Sequence, residues 1–513
     1  MVWFNFDTPV GFSYGLAVLS RELKSAGHQV DLLHLNEAIG MPYDLDRVSA
    51  DIRVRAPDVI GLSFGTNHAW AAREVAHLSK KLLPSALVIC GGIHSTICAA
   101  EVSAWPDVDA IAVGEADDGR LGGFLETWFQ GTIGRPIPGF WHRHAGRWLT
   151  GAGLPPVELS KAPHPIDLSL FDHRRIIKLK LGYAESLAGR GCLYACRYCQ
   201  NPVLRRIERS TADSGAPPKP PAFRRRTVAD VIAEIREYHA RFGSDIKVFS
   251  FNDDMFLADR AWLHGFLDAY TAEFKTPLVF NSTAVQIDED TARRCADAGV
   301  YMVRMGVESG SERIRRKVLC RPERKDQIAA AVRALRTAGV NTLFFIMLGI
   351  PTEGMPDVWA TFRFAAALRA DAVRFSLFWP YPQTKLHEYC WRHRLLDRSV
   401  VRGNYLDVSP LVWSAPQARF YARIHSFYAT ALNMFLHARS PDGGRFASIM
   451  REIRSSPDGH WSKGGRDRLI GRAETIELEL LKRGKPVYRS AFKNRPDIVM
   501  LLGEPRVTPL HNV

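Results

Sequence analysis

Short apolar runs alternate with longer mixed segments from the start of the chain. Val2–Phe6, Gln29–His34, Asp58–Ser63, Leu87–Gly91 and Val108–Val113 read as strands, and each is separated from the next by a stretch long enough for a helix, such as Tyr14–Ala26. That alternation predicts a parallel sheet with helices on both faces. The pattern matches the flavodoxin-like doubly wound fold, in which ligands sit at the carboxyl ends of the strands where the strand order switches. Four candidate ligand loops follow: 7–15, 63–67, 91–96 and 114–117.

Beyond residue 135 the rhythm changes. Gly139–Leu149, carrying Phe140, Trp141 and Trp148, predicts a β-hairpin, and the Pro-containing stretch Leu154–Pro165 reads as a linker. Strands then recur at 183–188, 246–251, 278–283, 301–306, 342–349 and 373–379. Between them, Val228–Phe242 has apolar residues at helical spacing after an N-capping Thr227, and Lys325–Gly339 ends on a glycine. Six repeats, two short of a closed eightfold barrel, predict an open (βα)6 barrel with its chemistry at the C-terminal strand ends. The expected domains are 1–135, a hairpin and linker over 136–175, the barrel over 176–395, and a helical, basic C-terminal region over 396–513. Within that last region Phe420–Arg439 places Phe420, Ile424, Phe427, Tyr428, Ala431, Met434 and Phe435 on one face, which predicts a helix packed on the barrel. The Pro-rich stretch within 205–226 reads as a surface insertion, and 441–513 carries no assigned role.

Composition narrows the classes. A chain of 513 residues exceeds one hydrophobic core. Its net charge of +14 raises nucleic acid as a partner, but the dense clusters, Arg205-Arg206 and Arg224-Arg225-Arg226, flank the Pro-rich loop and form no aromatic-interleaved stripe. No apolar run approaches the ~20 residues of a membrane span, and no signal-peptide pattern opens the chain, so a cytoplasmic protein without a transmembrane segment is expected. Eight cysteines are too few for a disulfide framework; Cys90, Cys98, Cys295, Cys320 and Cys390 are scattered and read as small core residues or inert thiols.

The other three carry the chemistry. Cys192, Cys196 and Cys199 lie in Ala-Gly-Arg-Gly-Cys-Leu-Tyr-Ala-Cys-Arg-Tyr-Cys-Gln, a CxxxCxxC spacing. Structural zinc sites and ordinary electron-transfer clusters are closed by four protein ligands, so three close thiols point to a cluster with one iron open to a substrate or cofactor. A zinc knuckle lacking its partner, or three unrelated cysteines, is the rival reading.

The spacing, with Tyr198 directly before the last cysteine, resembles the signature of the radical S-adenosylmethionine (SAM) superfamily. That resemblance implies a 4Fe-4S cluster on Cys192, Cys196 and Cys199 whose unique iron binds SAM and reduces it, releasing a 5′-deoxyadenosyl radical, with Tyr198 beside the cofactor. An electron donor such as flavodoxin or ferredoxin is implied with it. Strand ends further along are similar to other family segments. Asp253, in Asn252-Asp253-Asp254-Met255-Phe256, would accept from the SAM ammonium; a helix N-terminal acidic pair is the alternative. Glu308, in Met305–Gly310, stands where the family supplies a ribose-binding carboxylate. Leu348–Gly354 is close to the family's Gly-x-Pro-Gly-Glu-Thr, but Thr352 replaces a glycine and puts the turn geometry in question. Trp379–Thr384 is a further family-like turn.

The N-terminal loops resemble those of the cobalamin-binding domain that precedes the radical module in one branch of the superfamily: Ile-Gly-Leu-Ser at 60–63, Cys-Gly-Gly-Ile-His-Ser at 90–95 and Val-Gly-Glu-Ala at 113–116. Ser63, Gly91, Gly92, Gly114 and Glu115 are the implied cobalamin contacts, the glycines letting the backbone come close. The DxHxxG motif that carries a histidine ligand in many such domains is absent, and His68 and His94 read as hydrogen-bonded or surface residues, so the expected cobalamin has no histidine on its lower face. Gly114-Glu115-Ala116-Asp117 also departs from the family, which usually shows a second glycine and glutamate.

The expectation is an α/β protein comprising a flavodoxin-like domain, a partial radical SAM barrel and a helical C-terminal region. The resemblance implies a class B methyltransferase-like enzyme that uses SAM, a 4Fe-4S cluster and cobalamin to methylate an unactivated carbon of a small molecule such as a secondary metabolite, lipid or peptide. Two rivals remain: oxidative cyclisation or rearrangement of a ring compound such as a tetrapyrrole without net methylation, and a cobalamin or iron-sulfur sensor without catalysis. Transfer-RNA methylthiolation is disfavoured, because that family carries further cluster cysteines in its N-terminal domain, whereas Cys90 and Cys98 stand alone there.

Overall fold

The computed structural model describes residues 1–503 except 162, 211–221, 398, 401, 404, 407, 458–460, 462, 493 and 494. The Pro-rich centre of 205–226 and the last ten residues of the chain therefore lie outside the described residues. The chain divides into two compact units, one of Met1–Lys247 with Tyr381–Glu388 and Val400–Asn404, the other of Val248–Pro380, Tyr389–Ser399 and Tyr405–Val513.

The first unit is built on a seven-stranded sheet. Its strands are β1 (Val2–Phe4), β2 (Leu33–Leu35), β3 (Val59–Ser63), β4 (Leu87–Gly91), β5 (Ala110–Ala112), β6 (Phe140–His144) and β7 (Arg147–Thr150), in the order β2-β1-β3-β4-β5-β6-β7. The first five pair in parallel, in the flavodoxin-like order. Strands covered on both faces read as continuous apolar runs, and Leu87 to Cys90 are all buried. Helix Tyr14–Ser25 starts at Ser13, whose hydroxyl accepts from Leu16 N (3.3 Å), and helix Ala69–Leu82 buries Ala71, Ala72, Val75 and Ala76.

Two expectations need correcting here. The second strand begins at Leu33 instead of Gln29, because Gln29 and Asp31 are exposed polar residues that interrupt the apolar run and pairing with β1 starts only at Leu33. The aromatic hairpin forms after residue 139 as expected, but it belongs to the sheet and not to the linker, with β6 antiparallel to β5. Ala145 (φ 47°) and Gly146 (φ 77°) form its turn, the two positive angles of a tight right-twisting hairpin. Further along the unit come β8 (Tyr183–Ser186), β9 (Gly189–Gly191) and β10 (Phe223–Arg225), the last two pairing antiparallel. Helix Asn201–Ser210 follows the three cysteines, and Val228–Phe242 is capped by Thr227 as expected, its hydroxyl accepting from Asp230 N at 3.1 Å.

The second unit contains five parallel strands, β11 (Val248–Phe251), β12 (Leu278–Ser282), β13 (Val300–Glu308), β14 (Asn341–Leu348) and β15 (Ala372–Leu377). The intervening helices Arg260–Glu273, Glu289–Asp297, Lys325–Thr337 and Met355–Leu368 keep the βα rhythm that the sequence predicts. The C-terminal region is not wholly helical: β16 (Val487–Phe492) and β17 (Arg495–Leu502) form a hairpin, with β17 antiparallel to β15. An uncovered β15 would leave a row of unpaired backbone groups, and β17 satisfies them while burying Val499 and Leu501. The expected helix over 420–439 is broken by a tight turn at His425–Phe427 into Ala415–Ile424 and Tyr428–Leu436. It packs on the second unit's parallel sheet and its helices nonetheless, Tyr428 stacking on Phe375 with ring centroids 4.0 Å apart and Phe420 meeting Trp359 edge-on. No helix among the described residues is long and apolar enough to cross a membrane.

Candidate cofactor site

At the C-terminal ends of β3, β4 and β5 the first unit holds a cavity of about 360 Å³, lined by Ser63, Gly91, Gly92, Gly114 and Glu115 together with Tyr14, Gly15, Leu16 and Gly61. The five residues expected to contact cobalamin therefore share one cavity. The glycines keep it open: a Cβ on Gly15 or Gly114 would meet nothing within 4 Å, and one on Gly61 or Gly91 only a single atom at 3.9 Å. Side chains there would fill the space a bulky ligand needs. Gly92 has a different reason, since its φ is +87° and a Cβ would lie 3.0 Å from Phe64 O. Thr96 binds two of the loops together, its hydroxyl donating to Gly92 O (3.0 Å) and accepting from Gly114 N (3.1 Å).

Glu115 is more than a loop residue. Its carboxylate takes two 2.8 Å hydrogen bonds from Arg224, pairs with Arg190 at 3.2 Å, and accepts from Val157 N at 2.6 Å. Burial alone would raise its pKa, but the Arg224 and Arg190 guanidinium groups outweigh burial and hold it down at about 2. Arg190 also binds Asp117 at 2.7 Å. Arg190 sits in β9, directly opposite Arg224 of β10 and two residues ahead of Cys192. The loop after β5 is thus ionically fastened to the strand that leads into the cysteine motif. Nothing in the local pattern of residues announces this clamp, because its partners are far apart in the chain.

The three cysteines occupy the loop between β9 and helix Asn201–Ser210. Cys196 is buried, Cys192 and Cys199 are half-buried, and Tyr198 lies half-buried among them. The loop is drawn tight by Cys199 N donating to Cys196 O at 3.2 Å. Asn201 donates to Cys199 Sγ from its backbone N (3.5 Å) and its side chain (3.7 Å), at the first residue of the helix. A second cavity, about 320 Å³, is lined by Gly92, Ile93, Gly114, Glu115 and Arg190 on one side and by Asn201, Leu204 and Arg205 on the other. It joins the glycine loops to the helix that supports the cysteine loop. Three thiols with no disulfide between them, on a partly exposed loop, fit an iron-sulfur cluster that takes three protein ligands. The glycine-lined cavity fits a bulky planar ligand. Of the two histidines near these loops, His94 meets Thr66 Oγ1 through Nδ1 alone (3.2 Å), and His68 Nε2 meets Phe6 O (3.0 Å).

The second unit carries the other expected residues at its strand ends. Asp253, just after β11, is 1% exposed, and neighbouring Asn252 accepts from Arg304 at 3.1 Å. Glu308 ends β13 with φ +62°, at a register shift against β14, where a non-glycine residue is held in a strained conformation. Its carboxylate lies 3.6 Å from Arg321, and Gly306 makes the room, because a Cβ there would come within 2.6 Å of Glu308 Oε1. After β14, Thr352 adopts φ +68°, so the turn that usually uses glycine keeps its left-handed geometry with a β-branched residue; Arg313 donates to Thr352 O at 2.8 Å. Glu353, to which the local motif assigns no role, is 3% exposed and accepts from Gly349 N at 2.7 Å and Tyr421 OH at 3.2 Å. Burial pushes its pKa up to about 8. Burial also raises the Cys90, Cys98, Cys295 and Cys390 thiols, whereas Cys320 is exposed and is not a core residue.

Two family models match the chain: the B12 binding domain over residues 8–121 and the radical SAM superfamily over residues 187–365. The protein is a cobalamin-binding member of the radical SAM superfamily, with a 4Fe-4S cluster, SAM and cobalamin as its cofactors. It is 25% identical over 403 residues to an uncharacterized methyltransferase of Pyrococcus horikoshii, covering 76% of this chain and 79% of that one. It is 21% identical to the anaerobic magnesium-protoporphyrin IX monomethyl ester cyclase of Cereibacter sphaeroides, covering 73% of this chain and 59% of the cyclase. Among solved structures, the radical SAM methyltransferase TsrM of Kitasatospora setae, with cobalamin and a [4Fe-4S] cluster bound, has a similar fold: TM-score 0.62, 17% identity, coverage 92% and 99%.

Proposed function

We propose that this protein is a C-methyltransferase that acts on an unactivated carbon of a small molecule. The observation that carries the reading is the cavity shared by Gly92, Gly114 and Asn201, which opens the glycine loops toward the helix behind Cys199. In this reading Cys192, Cys196 and Cys199 hold the cluster, and Tyr198, Asp253 and Glu308 hold SAM. Ser63, Gly91, Gly92 and Gly114 admit cobalamin, while Glu115 fixes the loop through Arg190 and Arg224. When bound, the cluster supplies the electron that cleaves SAM, and cobalamin carries the methyl group. The protein's share is positioning and exclusion of water. Asn201 donates to Cys199 Sγ and would steady the charge of the thiolate that holds the cluster, and the strained Glu308 presents its carboxylate at a strand end. Buried Glu353 organises the Gly349-Ile350 turn.

The test is anaerobic reconstitution with iron, sulfide and cobalamin, followed by dithionite and SAM. Release of 5′-deoxyadenosine together with transfer of the SAM methyl group to cobalamin supports the proposal; cleavage without methyl transfer removes the methyltransferase half. The cyclase relative motivates a second reading, ring formation on a tetrapyrrole-like compound. Product mass separates the two, since only methylation adds a carbon.

A further inference from the structure

A second group of metal-binding side chains lies in the first unit, outside the cofactor cavities. His94, Cys98 and Glu101 offer Nε2, Sγ and a carboxylate oxygen that all fall within 4.8 Å of one another. The spacing explains the convergence. His94 is on the short helix Ile93–Ile97 and Glu101 on the short helix Ala99–Ser103, with Cys98 at the junction between them. Cys98 N donates to His94 O at 2.7 Å, so one turn separates imidazole from thiol.

Three observations mark this as a built site. His94 is 2% exposed, and its Nε2 is buried without a hydrogen-bond partner, 3.6 Å from the nearest Glu101 oxygen. A buried polar atom left in that state costs free energy unless something binds it. Its other nitrogen, Nδ1, meets Thr66 Oγ1 at 3.2 Å, the type of second contact that orients a metal-ligating histidine. Cys98 is 9% exposed and packs with Ile97 and Val203, while Glu101 reaches solvent and leaves an entry path.

We propose that His94, Cys98 and Glu101 bind a zinc-class divalent ion, with a fourth position open to water. One nitrogen, one sulfur and one oxygen donor suit Zn²⁺ and exclude the all-oxygen preference of Mg²⁺ or Ca²⁺. Binding displaces the Cys98 thiol proton to solvent and involves no redox change. The consequence is structural. Two five-residue helices are too short to be stable alone, and an ion across them would hold Ile93, which lines the second cavity, in place. From sequence alone Cys98 is a scattered core thiol; the pattern His-x3-Cys-x2-Glu acquires meaning only once the chain turns between the two helices.

The test must exclude the cluster cysteines as a source of metal. Full-length C192A/C196A/C199A protein, purified without cobalamin, is titrated with Zn²⁺ and with Co²⁺. The proposal expects about one ion per chain and a thiolate-to-cobalt absorption band, with both lost in added H94A or C98S. Circular dichroism checks the fold of those variants. E101Q, at an exposed position, and T66V, behind His94, should each weaken Zn²⁺ binding by roughly tenfold or more without loss of fold. A cobalt band that survives C98S, or zinc affinity unchanged in both E101Q and T66V, overturns the assignment. Neither result bears on SAM cleavage by the wild-type protein.

Discussion

Glu115 shows how a residue that lines the cavity also fastens the loop that carries it. Its carboxylate pairs with Arg224 and Arg190; without it Arg190 keeps Asp117, but the buried Arg224 charge loses its carboxylate partner. Glu115→Gln should destabilise the protein by about 3 kcal/mol in chemical denaturation and reduce cobalamin retention. The pH dependence has a definite sign. With a folded pKa of about 2 against roughly 4.3 unfolded, Glu115 contributes stability that is fully present above about pH 4.3 and lost as pH falls toward 2. Glu353 behaves in the opposite way. Its pKa is raised to about 8, so the folded state holds a proton that the unfolded chain releases near pH 4.3. Stability at this position is full below about pH 4.3 and falls by up to about 1.4 kcal/mol per pH unit as pH rises toward 8. Glu353→Gln should flatten that decline, so the variant gains on the wild type in denaturation at pH 8. Thr352 is a third case. A left-handed conformation costs a non-glycine residue about 1–2 kcal/mol, of which a glycine's extra chain entropy returns roughly half. Thr352→Gly should therefore raise stability by about 0.5–1 kcal/mol, and a lower melting temperature would contradict this explanation of the turn.

Elements were legible in the sequence where their pattern is local. Leu87–Gly91 is apolar throughout and ends in glycine, and it folds as a strand with those bounds. Val228–Phe242 announces both its face and its cap, and the structure keeps both. The cysteine spacing and the glycines at strand ends also lie within a few residues of one another, so most of the candidate site could be read. What escaped is non-local. Arg190 and Arg224 look like ordinary basic residues until β9 and β10 pair and present both to Glu115. The C-terminal hairpin escaped for a similar reason, since β17 is specified by the free edge of β15, more than a hundred residues earlier. That origin gives a test. Leu501→Pro removes the hydrogen bond that Leu501 N donates to Asp371 O (2.9 Å) and should cost about 3 kcal/mol or more, with association of the exposed edge seen as larger species in size-exclusion chromatography.

For the whole molecule, the comparisons establish the family and its cofactors, while the substrate depends on chemistry that no local motif records. Many basic side chains take part in ion pairs within each unit, such as Arg226 with Asp230 and Glu234. The central claim is that one chain joins reductive SAM cleavage to a cobalamin that receives the methyl group. It is tested most directly by following both in the reconstituted wild type beside Gly61→Val and Cys196→Ala. A valine at position 61 suits a strand yet projects into the open cavity beside Ile89. The account predicts 5′-deoxyadenosine and methylated cobalamin from the wild type, 5′-deoxyadenosine without bound cobalamin from Gly61→Val, and neither from Cys196→Ala. A cluster-loaded wild type that releases no 5′-deoxyadenosine, or a Gly61→Val protein that binds and methylates cobalamin as the wild type does, would contradict it.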